Sequence, residues 1–196
     1  MQVTTLSFQN MHSHGPLLAD FLRARHRAFI VQRSWDLPQA DGMEFDQYDT
    51  PASRWIAVHD SAGRVLAGCR LTPTTHRCGI YSYMIRDAQR GLLDPMPRDL
   101  LHGEAPVAPN VWECSRGFVS GDLGAGERRR ARLSLHAQMI ASSRELGASS
   151  LLTLVPSSSP RLLRLSGVGC EAMGPEVLID GAPCICLSIS MSAKLH

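Results

Sequence analysis

The chain has 196 residues, of which 44% are hydrophobic and 19% charged, with a formal net charge of +2. This length is enough for one medium-sized domain that buries most of its apolar surface, and the composition excludes wholesale disorder. The small net charge does not by itself indicate any class of partner.

The cysteines and the apolar segments indicate the cellular compartment in which the protein is expected. The six cysteines have neither the paired spacing of a metal site nor the density of a disulfide framework. The first twenty residues lack a basic start followed by an apolar run, and no apolar stretch approaches about eighteen residues. We therefore expect a reduced, cytoplasmic protein without a metal site, a signal peptide or a membrane span.

The first predicted element is a helix over residues 16–35, where apolar residues recur in steps of three and four. Arg25 and Phe29 would share one face of this helix, one turn apart. Residues 36–52 follow as an irregular loop interrupted by prolines and a glycine.

Apolar runs and turn residues predict the remaining elements. We expect a β-hairpin over 54–59 and 64–72, and a short helix followed by a long surface loop over 85–110. Next come a strand at 110–119, a helix at 127–146, a strand at 150–155, a short helix at 159–167, and strands near 174–180 and 183–191. This order predicts an α/β fold, a three-layer sandwich with a mixed central sheet.

A glycine-rich turn precedes the long helix. Gly121, Gly124 and Gly126 stand just before Arg128 and Arg129. Backbone N–H groups at such a helix start bind anions such as a pyrophosphate or a phosphopantetheine arm. The same glycines can equally serve only to turn the chain. No Gly-Lys-Ser/Thr follows, which excludes a P-loop.

The loop segment GMEFDQYDT, residues 42–50, concentrates acidic side chains. It contains Glu44, Asp46 and Asp49 without any basic residue. In isolation such a segment is usually a solvated face.

The strand WECSRGF suggests a different reading of those acids. Its alternation places Glu113 and Ser115 on one face and Arg116 on the other. If the strand is buried, at least one charged residue enters the interior, which is rare unless the charge is paired or functional.

The ordered series of polar and aromatic residues resembles one family, the acyl-homoserine-lactone synthases, which are the LuxI-type autoinducer synthases of bacterial quorum sensing. The series consists of Arg25, Phe29, Trp35, Glu44, Asp46, Asp49, Arg70, Trp112, Glu113, Ser115 and Arg116. The resemblance implies an acetyltransferase-like (GNAT-related) fold. It also implies an acyltransferase that N-acylates S-adenosylmethionine from an acyl thioester and lactonises it, releasing methylthioadenosine. The sequence does not show which of these two steps comes first.

The resemblance also implies roles for individual residues. Those expected to line or order the S-adenosylmethionine pocket are Arg25, Phe29, Trp35, Asp46, Asp49, Arg70, Tyr83 and Arg116. Glu44 would hold the loop closed, and Glu113 and Ser115 would lie at the reacting centre. The substrate amine must lose a proton before it attacks, and Glu113 is the first candidate for the base, with Asp46 as the alternative.

The residues themselves permit this ligand. Aromatic faces attract a sulfonium, carboxylates hold an ammonium, and an Arg matches a carboxylate. S-adenosylmethionine and the acyl thioester would both be substrates, so we expect no cofactor. In a single domain of residues 1–196, the part at about 16–120 would bind S-adenosylmethionine and the part at 121–196 the acyl donor.

The sequence departs from the family pattern at three places. Tyr83 stands where a Phe is usual, so its hydroxyl needs a hydrogen-bond partner. Gly117 separates Arg116 from Phe118, and a Pro-rich insertion occupies 88–110. We expect this insertion to alter the entrance for the acyl donor rather than the chemistry.

The acyl donor is less defined. Thr153 lies where many family members carry a Thr linked to 3-oxo chains, although a β-branched residue is also ordinary in a strand. Arg128 and Arg129 would dock an acyl carrier protein, bind the phosphates of coenzyme A, or simply be solvated.

Two other functions fit parts of the sequence. One is an acetyltransferase-like N-acyltransferase acting on another amine, which would need neither Trp35 nor the acidic loop. The other is a basic binding module built on ERRRAR, but nucleic-acid binding usually needs a broader basic surface with aromatic platforms. We therefore expect neither a nucleic-acid nor a membrane partner.

Overall fold

A computed structural model describes residues 1–191 of the chain. Nine strands occur within the described residues: β1 (Gln2–Leu6), β2 (Gln39–Ala40), β3 (Met43–Glu44), β4 (Arg54–His59), β5 (Val65–Pro73), β6 (Val111–Val119), β7 (Ser150–Pro156), β8 (Cys170–Ile179) and β9 (Ala182–Ser190). The α-helices are α1 (Leu17–His26), α2 (Met84–Gln89), α3 (Ala125–Glu145) and α4 (Ser159–Leu165).

Seven of these strands form one mixed sheet in the order β1-β4-β5-β6-β7-β9-β8. β6 and β7 pair in parallel, with Cys114 opposite Thr153, because α3 connects them as a crossover helix. β4 and β5 form an antiparallel hairpin in which Trp55 lies opposite Arg70. The mixed α/β class predicted from the sequence is confirmed.

The described residues divide into two compact units. The first contains Met1–Leu71 and Arg116–Met139, and the second contains Thr72–Ser115 and residues 140–191. The boundary expected near residue 120 separates binding roles within one domain, which these compact units do not test. The assignment of one substrate to each part of the chain therefore stays a prediction.

Aromatic side chains build the core of the first unit. Phe21 and Phe29 of α1 and its continuation pack against Phe118, with ring centroids 5.7 and 6.0 Å apart. A Cβ at Gly68 would lie 2.6 Å from the Ile56 carbonyl oxygen and would overlap the Phe21 ring. Glycine at this position therefore allows the helix to approach the sheet closely.

The first predicted helix ends earlier than expected. α1 stops at His26, and residues Arg27–Val31 continue as a π-helix. Ser34 then adopts a left-handed conformation with φ of 56°, which ends the helical path before Trp35.

The strand β1 was missed in the sequence because its residues form no apolar run. Only one of its five residues, Leu6, is buried. It exists because its backbone pairs antiparallel with β4, from Gln2 opposite His59 to Leu6 opposite Trp55.

The expectation of a surface loop between α2 and β6 is partly wrong, because the second unit buries three of its side chains, two leucines and an alanine. Leu100 is fully buried and Leu101 is 8% exposed. The His102 backbone N–H donates to the Met173 carbonyl at 2.9 Å. Gly174 makes this approach possible, since a Cβ there would overlap the Leu100 carbonyl.

The described residues include no helix that is both long enough and apolar enough to cross a membrane.

Candidate active site

Three arginines and three carboxylates of the first unit form a closed ring of alternating charges. In order around this charge ring, the residues are Arg25, Glu44, Arg116, Asp46, Arg70 and Asp49. Each side chain contacts two of opposite sign, at N···O distances of 2.5 to 3.1 Å. The ring is neutral overall, and none of its side chains is more than 12% exposed.

The loop that follows β3 supplies two of the acids. The Asp46 backbone N–H donates to Asp49 Oδ2 at 2.9 Å, and the Tyr48 N–H donates to Asp46 Oδ1 at 2.9 Å. Both carboxylates thus order their own loop as well as the arginines, in the manner of an Asx turn. The acidic segment 42–50 is therefore a turn folded around buried guanidinium groups and not a solvated face.

Two aromatic residues that the sequence analysis did not select complete the environment of the charge ring. Trp55 on β4 donates its indole N–H to Asp49 Oδ1 at 2.8 Å. The guanidinium of Arg70 lies over the Tyr48 ring, 5.5 Å from its centroid. The alternation of β4 and the position of Tyr48 between two acids were the signals available for finding them.

The arginines determine the ionisation of the acids. Burial alone would raise the pKa of Asp49, but the charges of Arg70 and Arg25 and the bond from Trp55 outweigh it, and the pKa lies well below its ordinary value. Burial likewise opposes ionisation of Asp46, yet Arg70 and Arg116 lower its pKa. Both acids are therefore carboxylates at neutral pH.

Arg116 adopts a backbone conformation that is unusual for its type. Its φ is 54°, in the left-handed region, although it lies inside β6. Non-glycine residues pay about 1–2 kcal/mol for this conformation. The bonds to Glu44 and Asp46, at 3.1 and 2.9 Å, hold the side chain in place despite that cost.

A stacked aromatic pair lies beside the charge ring. The Phe29 and Trp35 rings are 5.3 Å apart and within 8° of parallel. Phe29 belongs to the π-helix. The backbone N–H of Trp35 donates to the Phe29 backbone carbonyl at 3.0 Å, which folds the chain back on itself. Short π-helical segments are frequent at functional sites.

Guanidinium groups contact this aromatic pair. Arg33 lies 5.1 Å from the Phe29 centroid and 5.2 Å from that of Trp35. Arg116 lies 5.8 Å from the Phe29 centroid. Burial lowers the pKa of the Arg33 guanidinium. Arg33 was not among the residues expected at the site, because the surrounding sequence does not distinguish it from an ordinary surface arginine.

One donor of the charge ring lacks a partner within the described chain. Arg25 is fully buried, and its Nη2 makes no hydrogen bond to any described residue, while Nε and Nη1 bond Glu44 and Asp49. A buried guanidinium N–H without an acceptor costs free energy comparable to a lost hydrogen bond. Nη2 is therefore available to an acceptor that a ligand brings.

In the second unit, Glu113 is fully buried on β6. Its carboxylate accepts the backbone N–H groups of Met84 and Ile85 at 3.2 and 2.8 Å, at the start of α2. These two bonds satisfy free N–H groups of the helix and fix the orientation of the carboxylate.

Tyr83 is also fully buried in the second unit and immediately precedes α2. Its hydroxyl donates to the Pro106 carbonyl at 2.7 Å, so the inserted segment supplies the partner that this hydroxyl needs. Burial, reinforced by the charge of Glu113, raises the pKa of Tyr83 far above its ordinary value. The phenol therefore stays protonated at neutral pH.

Thr153 connects the parallel strands β6 and β7. Its hydroxyl donates to the Cys114 carbonyl at 2.8 Å, and its side chain is 5% exposed.

Ser115, two residues along β6 from Glu113, is also buried. Burial and the charge of Glu113 raise the pKa of the neighbouring thiol, Cys186, to about 12.

An apolar cluster of the second unit shares several of these residues. Its buried members are Tyr83, Ile85, Ala88, Leu100, Leu101, Ala105, Leu152 and Cys186. Partly buried side chains, among them Met84, Leu93 and Met96, pack against it. Methionines adapt their shape easily, so these side chains can fill irregular gaps at the edge of the cluster.

The basic start of α3 has a structural task that the sequence did not predict. The Arg128 Nη2 donates to the carbonyls of Gly121 and Leu123 at 3.0 and 2.9 Å. This guanidinium therefore stabilises the glycine turn, whereas the Arg129 side chain lies exposed on the helix.

The structure thus distributes the expected residues between the units. The first unit brings together Arg25, Phe29, Trp35, Glu44, Asp46, Asp49, Arg70 and Arg116, together with Arg128 and Arg129 of α3. The second unit contains Tyr83, Glu113, Ser115 and Thr153.

Known proteins resemble the chain over nearly its whole length. The model of one family, described as autoinducer synthase, matches residues 9–192. An acyl-homoserine-lactone synthase from Ralstonia nicotianae is 32% identical, over 87% of this chain and 80% of that protein.

Solved structures resemble the fold as well. TofI, crystallised in a ternary complex with an inhibitor and MTA, is 27% identical with a TM-score of 0.79, covering 100% of this chain and 94% of TofI. An acyl-CoA N-acyltransferase from Pseudomonas aeruginosa, 14% identical, has a TM-score of 0.59 over 96% of this chain and 99% of that protein, which shows a likeness of fold alone. The acetyltransferase-like fold expected from the sequence is confirmed.

A family match over 9–192 and a relative 32% identical establish what the buried polar residues suggested. The chain belongs to the autoinducer synthase family.

Proposed function

We propose that this protein is an acyl-homoserine-lactone synthase that joins S-adenosylmethionine to an acyl group. The acyl group comes from a thioester on acyl carrier protein or coenzyme A. The products are an acyl-homoserine lactone, methylthioadenosine and the free thiol of the donor, and the lactone would serve as a quorum-sensing signal.

The observation that carries this proposal is the neutral, buried charge ring beside the stacked Phe29 and Trp35 pair, in a member of the autoinducer synthase family. A ring of six charges is expensive to bury, and apolar residues of similar volume would often stabilise the fold as well or better. Its presence supports a function in binding a polar ligand.

The first unit offers groups that suit S-adenosylmethionine. The aromatic faces of Phe29 and Trp35 attract a sulfonium by about 0.5–2 kcal/mol. The free Nη2 of Arg25 suits an oxygen acceptor such as the ligand carboxylate or ribose. The solved relative TofI was crystallised with MTA, the abbreviation for methylthioadenosine, which is the proposed by-product.

Glu113 is the base that we propose for deprotonating the substrate ammonium, directly or through a water. The amine nitrogen then attacks the thioester carbonyl carbon. The C–S bond breaks with its electron pair on the donor sulfur, and the resulting thiolate takes up the proton that the acylated nitrogen loses. Asp46 suits this task less, because its oxygens bond two guanidinium cations that lower its pKa, whereas the oxygens of Glu113 accept neutral backbone N–H groups. Backbone N–H groups of β6 and the buried Ser115 are the candidates for stabilising the tetrahedral oxyanion.

Lactone closure is the other step of the proposed reaction. A carboxylate oxygen of the methionine part attacks its own γ carbon, and the electron pair of the C–S bond goes to the sulfonium sulfur, which becomes a neutral thioether. This step needs orientation more than acid–base help. We propose that an arginine of the charge ring, with Arg25 as the first candidate, orients the carboxylate.

The second unit has features that suit an acyl chain. The apolar cluster beside Glu113 and Tyr83 matches the chemistry of an acyl tail, and we propose that Thr153 influences the preference for 3-oxo chains. Arg129 is the better candidate for contact with acyl carrier protein or with the phosphates of coenzyme A, since Arg128 stabilises the glycine turn.

Mass spectrometry of the culture extract from cells expressing the chain tests the proposal. An ion series that contains the homoserine-lactone fragment, absent from a Glu113→Ala control, would support it and identify the acyl chain. If no lactone forms even when acyl-carrier-protein and coenzyme A thioesters are supplied to the purified protein, the proposal is wrong.

A further inference from the structure

Arg33 contacts the aromatic pair formed by Phe29 and Trp35 but is not part of the charge ring. Its guanidinium carbon lies 5.1 and 5.2 Å from the ring centroids of Phe29 and Trp35, which are themselves 5.3 Å apart. The cation thus contacts both rings at once, in the geometry of a cation–π interaction.

No carboxylate fixes this guanidinium within the described chain. Arg25, Arg70 and Arg116 each bond two acids of the charge ring, whereas Arg33 forms no ion pair with any described residue. Its position therefore depends on the aromatic faces, which makes it easier to displace than the arginines of the charge ring.

We propose that Arg33 competes with the sulfonium of S-adenosylmethionine for the Phe29–Trp35 aromatic pair, and so sets the affinity for the charged substrate relative to its neutral thioether by-product, methylthioadenosine. This inference rests on the proposed function. Two cations on the same aromatic pair repel each other at close range, so Arg33 must move aside when the sulfonium binds.

The competition changes during the reaction. When the lactone closes, the C–S electron pair passes to sulfur and the sulfonium becomes the neutral thioether of methylthioadenosine. The thioether loses its cation–π attraction, while Arg33 keeps its own. The return of Arg33 to the aromatic pair then favours release of the by-product.

Calorimetric titration of three proteins with two ligands tests this inference. The ligands are S-adenosylmethionine and S-adenosylhomocysteine, which differ by the sulfonium methyl group and its charge. The proteins are the wild type, Arg33→Met and the control Arg23→Met. Arg23 is also exposed, and it pairs with Asp20 at 2.9 Å on the surface of α1.

We expect Arg33→Met to tighten S-adenosylmethionine binding about two- to fivefold, the range that corresponds to an exposed cation–π contact. The affinity for S-adenosylhomocysteine should change by a smaller factor than that for S-adenosylmethionine, and Arg23→Met should leave both affinities unchanged. Arg33→Lys, which keeps the charge, should behave more like the wild type than Arg33→Met.

Two results would overturn the inference: unchanged or weaker binding of S-adenosylmethionine to Arg33→Met, or equal tightening of both ligands, which would indicate steric cover without charge competition. If the wild type itself fails to bind S-adenosylmethionine, the proposed function fails. The wild-type titration therefore separates the two failures.

Discussion

The Arg25 guanidinium donates to Asp49 Oδ1 at 2.7 Å, and the same oxygen accepts the indole N–H of Trp55 at 2.8 Å. This contact joins a helix, a loop and a strand of the first unit through one carboxylate. Since Asp49 also contacts Arg70 at 3.0 Å, the turn that contains it is fixed by groups on three sides. The acidic loop is therefore part of the buried structure rather than a solvated face.

Replacing Arg70 by Ala should lower the free energy of unfolding by about 3–5 kcal/mol, because it leaves Asp46 and Asp49 buried without one of their cations. Urea denaturation measures this change. Arg64→Ala is the matched control on the same hairpin, since its ion pair with Asp60 lies at the surface and should contribute little to stability. Equal effects of the two substitutions would contradict the structural role of the charge ring.

Glu113→Gln should lower kcat by about 100-fold or more if Glu113 is the base, because an amide does not accept the substrate proton. Steady-state kinetics with calorimetric titration of S-adenosylmethionine measures this, and the affinity should change by less than about threefold.

A structural role for Glu113 predicts a different pattern. Gln can accept only one of the N–H bonds from Met84 and Ile85, so some loss of stability is expected in either case. Glu113→Asp should recover part of kcat and keep the pH dependence of the reaction only if the carboxylate is the base. A Glu113→Gln protein with kcat within fivefold of the wild type would eliminate that role.

His136 on α3 should make stability depend on pH. Burial, with the nearby Arg132 charge, lowers the pKa of His136 to about 4, and its Nδ1 has no hydrogen-bond partner within the described residues. The unfolded chain binds a proton near the ordinary pKa of 6.5, so between about 6.5 and 4 it holds more protons than the folded state. The free energy of unfolding that depends on neutral His136 is fully present above about pH 6.5. It decreases as the pH falls toward 4, by on the order of 2 kcal/mol for this partly exposed group.

The variant His136→Gln tests this pH dependence by urea denaturation at pH 7 and pH 4.5. The difference in unfolding free energy between the two pH values should be smaller in the variant than in the wild type. Asp46 and Asp49 contribute little to this difference. Because their pKa values are lowered in the folded protein, the stability that depends on their ionisation is lost mainly below about pH 3.8, the ordinary pKa of an aspartate. An unchanged difference would exclude His136 as its origin.

Gly68→Ala should destabilise the protein by about 1–3 kcal/mol, since the new methyl group meets the Ile56 carbonyl and the Phe21 ring. Gly103→Ala serves as the control, because a Cβ there meets nothing within 4 Å. Thermal unfolding compares the two. A Gly68→Ala protein as stable as Gly103→Ala would show that α1 does not approach the sheet as described.

Local patterns predicted much of the fold. The hairpin of β4 and β5 and the strand β6 lie within one or two residues of the expected bounds, because their apolar runs are bounded by turn residues. β1 was not predicted, since only its pairing with β4 reveals it. The burial of Leu100 was also missed, because it depends on contact with a strand more than 70 residues away in the chain.

The charged site was predictable in membership but not in geometry. The spacing of Arg25, Asp46 and Arg70 carried the family resemblance, yet no local rule states that these charges form one closed ring. Arg33 shows the same limit, because its place over Phe29 and Trp35 depends on the π-helix and on the left-handed Ser34. Long-range packing decides such contacts.

The most direct test of the central claim is the stoichiometry of the purified reaction. The protein is incubated with S-adenosylmethionine and a panel of acyl-carrier-protein and coenzyme A thioesters, and the lactone and methylthioadenosine are quantified together by liquid chromatography and mass spectrometry. We expect equal amounts of both products with at least one donor, and neither product with Glu113→Ala. An acylated amine formed without methylthioadenosine, or no dependence on S-adenosylmethionine, would contradict the proposed function.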